Sequence, residues 1–223
     1  QSGVMLTWPH AHGDWAPTLA EVEPVFVNIA RLIARFERVL ISCYDEPHRQ
    51  HVERLLAAGA IDLSRVRLAV ARSNDTWARD HGPITVLCRE QLALLDFTFN
   101  GWGAKYDADL DNLLTARLHT LGVLGKHPIE PVDLVLEGGS IEVDGSGTLL
   151  TTSQCLLTPT RNPTHGRAQI ERVLAEHLGI NRFLWLHHGY LAGDDTDSHI
   201  DTLARFCDAH TIAYVTCDDP ADE

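Results

Sequence analysis

The sequence predicts an α/β protein assembled from repeated strand, strand, helix, strand units. Three observations lead there. Helix-period and strand-period apolar patterns alternate along the chain. A hairpin followed by a helix and a strand then recurs at a period of about 50 residues, the signature of supersecondary units that need neighbours to cover their apolar faces. Finally, polar loops rich in Gly, Asp and His follow the last strand of successive units.

Taken in order, Thr18-x-x-Glu21 has the spacing of a capping box, and Val22, Val25, Phe26, Ile29, Leu32, Ile33 and Phe36 follow at helical intervals, so a helix is expected there. A short strand, Val39 to Ile41, comes next. A second helix around Arg49 to Ala58 carries Val52, Leu55 and Leu56, and a strand at Val66 to Val70 leads into the loop Ser73 to Pro83. Ile84 to Leu87 and Leu92 to Phe99 flank a polar turn and read as a hairpin, followed by a Gly-rich loop, a helix near Asp109 to Leu121 and a strand Val132 to Leu136. The pattern repeats: Ile141 to Val143 and Thr148 to Thr151 flank the turn Asp144-Gly145-Ser146-Gly147, a helix spans Gly166 to Leu178 with Gly179 closing it, and a strand covers Phe183 to Leu186. A further partial unit starts at Ser198 and includes a strand at Ile212 to Val215; Asp218 to Glu223 read as an acidic turn.

Composition sets the function classes. The chain has 223 residues, 44% hydrophobic and 22% charged, which is globular and excludes disorder, collagen and coiled coil. No apolar run approaches the roughly 18 to 20 residues of a membrane helix, so no membrane partner is expected. Eighteen Lys and Arg against 31 Asp and Glu leave a net charge of −13, which argues against a nucleic-acid partner and suits a cationic ligand. Cys43, Cys88, Cys155, Cys207 and Cys217 are odd in number and form no C-x-x-C pair, so neither a disulfide framework nor a zinc knuckle is expected and a reducing, cytoplasmic location is. Cys43, Cys88 and Cys155 read as small buried hydrophobes and Phe206-Cys207 as core. His10-x-His12 and His187-His188 read as pairs that face solvent or satisfy local hydrogen bonds rather than as metal ligands.

Chemistry concentrates in three loops: Trp77-Ala78-Arg79-Asp80-His81-Gly82-Pro83, Glu137-Gly138-Gly139-Ser140, and Gly193 to Asp201. Equivalent loops of a repeat array share one face. If the units surround an axis, Asp80, Glu137, His199 and Asp201 meet there. A guanidinium presents five N–H donors in a flat, permanently charged fork, so paired carboxylates with an aromatic face, such as Trp77, make its natural receptor. Other readings stand beside this one. Asp80 also suits a turn cap, paired glycines suit a bulge, and the Asp194 to Asp201 stretch suits a solvated acidic loop or a divalent metal site. His199-x-Asp201 fits acid–base chemistry. Asn100 to Tyr106 lacks the arrangement of a phosphate-binding loop and is read as a pocket wall.

Six motifs in this order resemble one family: Thr7-Trp8-Pro9-His10, Thr76 to Pro83, Phe99 to Tyr106, Leu136 to Ser140, Leu149 to Thr152, and Asp194 to Asp201. The sequence resembles the agmatine deiminases and the bacterial-type peptidyl-arginine deiminases of the guanidino-group-modifying superfamily. The resemblance implies a pentein fold, an α/β propeller of ββαβ modules about a pseudo-fivefold axis, in one deiminase domain. It assigns Asp80 and Asp201 to the guanidinium, His199 to general acid–base work, Glu137 to its support, and Trp77 and Asp195 to the rest of the substrate. It implies no metal and no cofactor. Family members attack the guanidinium carbon with a cysteine thiolate from a Gly-rich motif near the C-terminus, and the sequence reaches Glu223 without that motif. The chain is therefore expected to be an inactive incomplete ring of about three and a half modules, to expose apolar module interfaces, and to form a homo-oligomer or lack a C-terminal partner segment. Agmatine is expected over peptidyl-arginine, because Trp77 and the Asp194 to Asp197 acids suit a free cationic tail. A metal-dependent hydrolase and a non-catalytic guanidinium-binding relative are the alternatives.

Overall fold

The computed structural model describes residues 1–189 and 191–218 and shows a mixed α/β protein with several small sheets. The chain divides into two compact units, Gln1–Asp96 with Asp107–Pro131, and Phe97–Tyr106 with Val132–Glu223.

The first unit is built on a parallel sheet of β1 (Gly3–Thr7), β2 (Arg38–Cys43) and β3 (Val66–Val70) in that order. The register pairs Val4 with Val39 and Ile41 with Leu68. Parallel strands need long crossovers, which α1 (Leu19–Ala34) and α2 (Glu46–Ala58) supply. Alternation along β2 sends Val39, Ile41 and Cys43 into a core with Trp8, Ala30, Val52 and Leu56, while Leu40 joins Ala69, Ala71 and Met5 in another cluster. That cluster is filled by Leu114 and Leu118 of α5 (Leu114–Thr120). Apolar residues thus leave β2 on both sides, as a strand buried between helices requires.

Asp45 caps α2 by accepting from the His48 backbone N–H. At α1, however, Thr18 makes no side-chain cap bond, so the expected capping box is not formed; a 3₁₀ turn, Ala16–Thr18, runs into the helix and puts Thr18 outside extended cap geometry. The loop after β3 contains α3 (Ala78–His81), and β4 (Ile84–Cys88) pairs antiparallel with β5 (Gln91–Thr98) as expected from the hairpin. The sheet order is β4-β5-β6, where β6 is Ile129–Val135.

In the second unit β7 (Glu142–Val143) pairs antiparallel with β8 (Thr148–Thr152), and β8 pairs parallel with β9 (Arg182–Leu186). The Asp144 carboxylate closes the hairpin by accepting from Ser146 and Thr148 N–H. α6 (Ser153–Leu156) follows, then α7 (Arg167–Leu178), which buries Ile170 and Leu174 and ends where Gly179 turns left-handed at φ 69°. A last short helix, α8 (Ile200–Leu203), leads to the antiparallel pair β10 (Ala204–Asp208) and β11 (Thr211–Tyr214). The expected acidic turn at the C-terminus falls on residues 219–223, outside the described residues. Among the described residues, no helix is long and apolar enough to cross a membrane.

Two sequence expectations are corrected here. Cys88 and Cys207 are exposed, not buried: Cys88 is the last residue of the edge strand β4, and Cys207 sits at the irregularity between Phe206 and Asp208 in the two-stranded β10–β11 sheet. Of the two outcomes expected of its pair, His10 takes the hydrogen-bonded one: β1 carries the chain inward, Thr7 and Trp8 are fully buried, and His10 is buried after them, bonding Ser73 Oγ at 3.2 Å and accepting from the His12 N–H. Cys43 and Cys155 are buried as expected.

Candidate active site

Each of the three polar loops follows the third strand of a three-strand run: β3, β6 and β9. Trp77 and Asp80 belong to the first unit, and Glu137, Asp195, His199 and Asp201 to the second.

In the first unit, the loop that carries Trp77 and Asp80 is clamped from beneath. The buried Asp111 carboxylate accepts from the Asn74 N–H at 2.8 Å and the Asp75 N–H at 3.2 Å, and the Asn74 side-chain oxygen accepts in return from Leu110 and Asp111 N–H. Desolvation by burial pushes Asp111 up to about 7 against the pull of these N–H donors. Asp75 accepts from the Trp77 indole N–H at 2.9 Å, fixing a ring that is 45% exposed and packs beside Trp15. Asp80 is buried on α3, whose tight exit requires glycine: a Cβ on Gly82 would lie 2.4 Å from the Ala78 carbonyl oxygen. His81 beside it is held near pKa 4 by burial.

In the second unit, Glu137 is fully buried, and Arg161 Nε donates to both of its oxygens, at 2.8 and 3.0 Å. The same guanidinium donates to the Asp197 carboxylate at 2.7 Å and the Thr196 carbonyl at 2.9 Å, joining the β6 loop to the acidic loop. Burial pushes the Glu137 carboxyl above its ordinary value, while the Arg161 charge opposes that rise. Asn162, next in the chain, bonds both the N–H and the carbonyl of Val135 and so fixes where Arg161 stands.

The 194–201 loop is shaped by its own acids. Asp194 accepts from the Thr196 N–H and hydroxyl and from the Ser198 N–H. The Thr152 hydroxyl donates to the Ser198 carbonyl at 2.8 Å, and His199 is buried at the start of α8, with Asp201 in that helix's first turn. Asp195 accepts from the Tyr106 hydroxyl at 2.6 Å; Lys105 donates to the Asp195 carbonyl and, at 2.8 Å, to Asp197. Lys105 and Tyr106 are delivered by α4 (Gly101–Ala104), a turn of reversed hand: Gly101, Trp102, Gly103 and Ala104 have φ of 68°, 56°, 85° and 63°. The Asn100 side chain accepts from the Gly103 N–H, and the Ala104 N–H bonds the Asn100 carbonyl. A Cβ on Gly103 would lie 2.5 Å from Thr160 Oγ1. Residues 100–106 thus brace the acidic loop, the nearest counterpart of the expected wall.

Of the sequence-predicted residues, the second unit brings Glu137 and His199 together: ligand atoms of Glu137, Cys155 and His199 lie within 4.8 Å of one another, all buried. Two participants were missed by sequence reasoning. Arg161 is the only Lys or Arg between residues 127 and 166, in a stretch containing several acids, and that isolation was the available signal. Cys155 gave none, since a buried thiol and a site thiol look alike in sequence. The carboxylates of Asp194 and Asp197 are engaged by loop donors, Lys105 and Arg161, which weakens the reading of residues 194–201 as a divalent metal cluster. An imidazole beside a buried carboxylate, itself fixed by a guanidinium, can hold and move a proton.

The model of the Porphyromonas-type peptidyl-arginine deiminase family matches residues 1–223. An agmatine deiminase from Stutzerimonas stutzeri is 37% identical over 227 residues, an alignment covering 99% of this chain and 59% of that protein. A C. jejuni agmatine deiminase solved with substrate bound superimposes with a TM-score of 0.91 at 38% identity, over 100% of this chain and 64% of the other. A Porphyromonas gingivalis structure provisionally assigned as an arginine deiminase gives 0.90 at 50% identity, over 100% and 65%. The chain therefore spans about three fifths of the length of such relatives, and it belongs to the Porphyromonas-type peptidyl-arginine deiminase family.

Proposed function

We propose that these residues serve a hydrolytic deiminase acting on a guanidinium substrate, agmatine first, giving N-carbamoylputrescine and ammonia. The observation that carries the reading is the buried Glu137–His199 pair fixed by Arg161, in a chain matched over its whole length by the family. In this reading Asp80 and Asp201 hold the guanidinium by charge-assisted hydrogen bonds, Trp77 covers its face, and Asp195 receives the far cationic end. The chain is read as about three and a half modules of a pentein ring.

The chemistry is nucleophilic. A cysteine thiolate adds to the guanidinium carbon. His199 gives a proton to the departing nitrogen and ammonia leaves, with an amidino-thioether remaining. His199 then takes a proton from water as the water attacks the same carbon, the C–S bond breaks to restore the thiolate, and the adduct's remaining hydroxyl proton passes to solvent as the ureido product forms. Glu137 stands beside the imidazole and keeps it oriented.

Peptidyl-arginine is the second reading, favoured by the family model's own description. Ammonia release on agmatine and on an arginyl peptide, measured with a protein of full family length and with the 223-residue chain, tests both. Turnover of agmatine by the longer species alone is expected, with His199→Gln lowering it by about 100-fold or more. Turnover of the peptide alone selects the second reading, and turnover of neither overturns the deiminase reading. The expected self-association is tested by sedimentation; Tyr214 and Val215, 73% and 55% exposed, are its motivation.

A further inference from the structure

We propose that Glu137, Cys155 and His199 form a binding site for a thiophilic divalent cation of the zinc class. The three residues offer a carboxylate oxygen, a sulfur and an imidazole nitrogen, all within 4.8 Å of one another. That is the donor mixture zinc takes in proteins, whereas magnesium and calcium prefer oxygen alone. With zinc bonds of about 2.0–2.3 Å, tetrahedral ligands stand roughly 3.3–3.6 Å apart, so side-chain torsions of Cys155 and Glu137 can close the remaining gap.

The surroundings are already those of a ligand shell. The Glu137 carboxylate is oriented by Arg161 Nε, and ligating carboxylates are commonly held by such an outer donor. Arg161 does not leave an unmatched positive charge against the ion, because its Nη1 pairs with Asp197; Lys105 reaches the other Asp197 oxygen from the outside. Cys155 is placed through Thr152: the Thr152 hydroxyl caps α6 by accepting from the Cys155 N–H, and it also donates to the Ser198 carbonyl next to His199. One threonine therefore ties the thiol and the imidazole to a common point.

Binding replaces the thiol proton: the S–H bond breaks, a sulfur–metal bond forms, and the proton passes to solvent. A water molecule fills the fourth position. Because all three side chains are buried, the ion enters only as α6 or the 194–201 loop opens, and binding is slow. The ion is no cofactor. An ion on the His199 imidazole removes the nitrogen lone pair needed for proton transfer, so occupancy switches off deiminase chemistry; this consequence, unlike the binding itself, rests on the function proposed above.

The test is a titration of the 223-residue chain with Co²⁺, followed by Zn²⁺ displacement. A thiolate-to-cobalt charge-transfer band is expected, with about one ion bound and about one proton released per chain. Cys155→Ser, close in size, should abolish the band, and His199→Gln, which keeps the thiol, should weaken binding by more than about 10-fold. Replacing the three exposed cysteines, Cys88, Cys207 and Cys217, by serine should leave the band in place. Absence of a band in the parent chain, its persistence in Cys155→Ser, or its loss in the triple serine variant overturns the site. With a longer protein that releases ammonia, Zn²⁺ should inhibit slowly, and Cys155→Ser should lower that sensitivity by about 10-fold or more; equal sensitivity overturns the regulatory consequence while leaving the binding result to stand alone.

Discussion

Two carboxylates, Asp111 in the first unit and Glu137 in the second, are buried almost completely and are made tolerable in opposite ways. Asp111 has backbone dipoles: the N–H groups of Asn74 and Asp75 point at it, and no basic side chain bonds it among the hydrogen bonds described. Glu137 has a full counter-charge in Arg161, which is in turn balanced by Asp197. Dipoles shape a loop but leave the ionised form expensive, so Asp111 moves toward protonation at about 7. A guanidinium opposes the rise that burial imposes on Glu137 but must itself be housed, which is why the second unit needs a whole network where the first needs a turn.

The comparison breaks most visibly at Arg161. Arg161→Ala should destabilise the chain by about 3–5 kcal/mol in denaturant titrations, because it strands Glu137 in the interior, and pairing Arg161→Met with Glu137→Leu should recover much of that loss. If the single variant costs under about 1 kcal/mol, the ion pair is not what makes Glu137 tolerable. Asp111→Ala should cost less, about 1–3 kcal/mol, since it orphans N–H donors and no charge.

A smaller effect appears with pH inside the first unit, where Asp111 and His10 both lie. Asp111 holds its proton in the folded state between about pH 4 and 7, where the unfolded chain has released it, so its contribution falls as pH rises through that window. His10 does the reverse: burial, then His48 and His12 nearby, lowers it to about 4, so stability falls as pH drops below the unfolded value of 6.5. The two trends offset in the parent chain. Asp111→Asn should uncover a urea midpoint that rises from about pH 4 to 6.5, amounting to ~1–2 kcal/mol, and an unchanged profile would show that Asp111 titrates normally. Least of all should Lys105→Met matter, below about 1 kcal/mol in thermal melts, because its pair with Asp197 is half-exposed.

What the sequence disclosed follows from the range of the interactions. The β4–β5 hairpin, the Asp144 turn and α7 with its closing Gly179 are local events, decided by alternation, turn chemistry and a single φ, and all were legible. So was the position of the three polar loops, each after a third strand. Thr18 misled because spacing alone does not set its backbone angles, and Cys88 and Cys207 because strand propensity says nothing about which face is covered. Arg161 was illegible for another reason: its partners lie 24 and 36 residues away, and only the fold brings them together.

The reversed turn at residues 101–104 carries a stereochemical consequence. Two L-residues, Trp102 and Ala104, sit where their mirror images belong, at about 1–2 kcal/mol each. Ala104 is exposed, so a D-alanine there, introduced by ligation, occupies the ordinary helical region of its own enantiomeric map without displacing a neighbour. The segment holding Lys105 and Tyr106 against the acidic loop is thus one of the few places in an L-protein where inverted chirality is the relaxed choice.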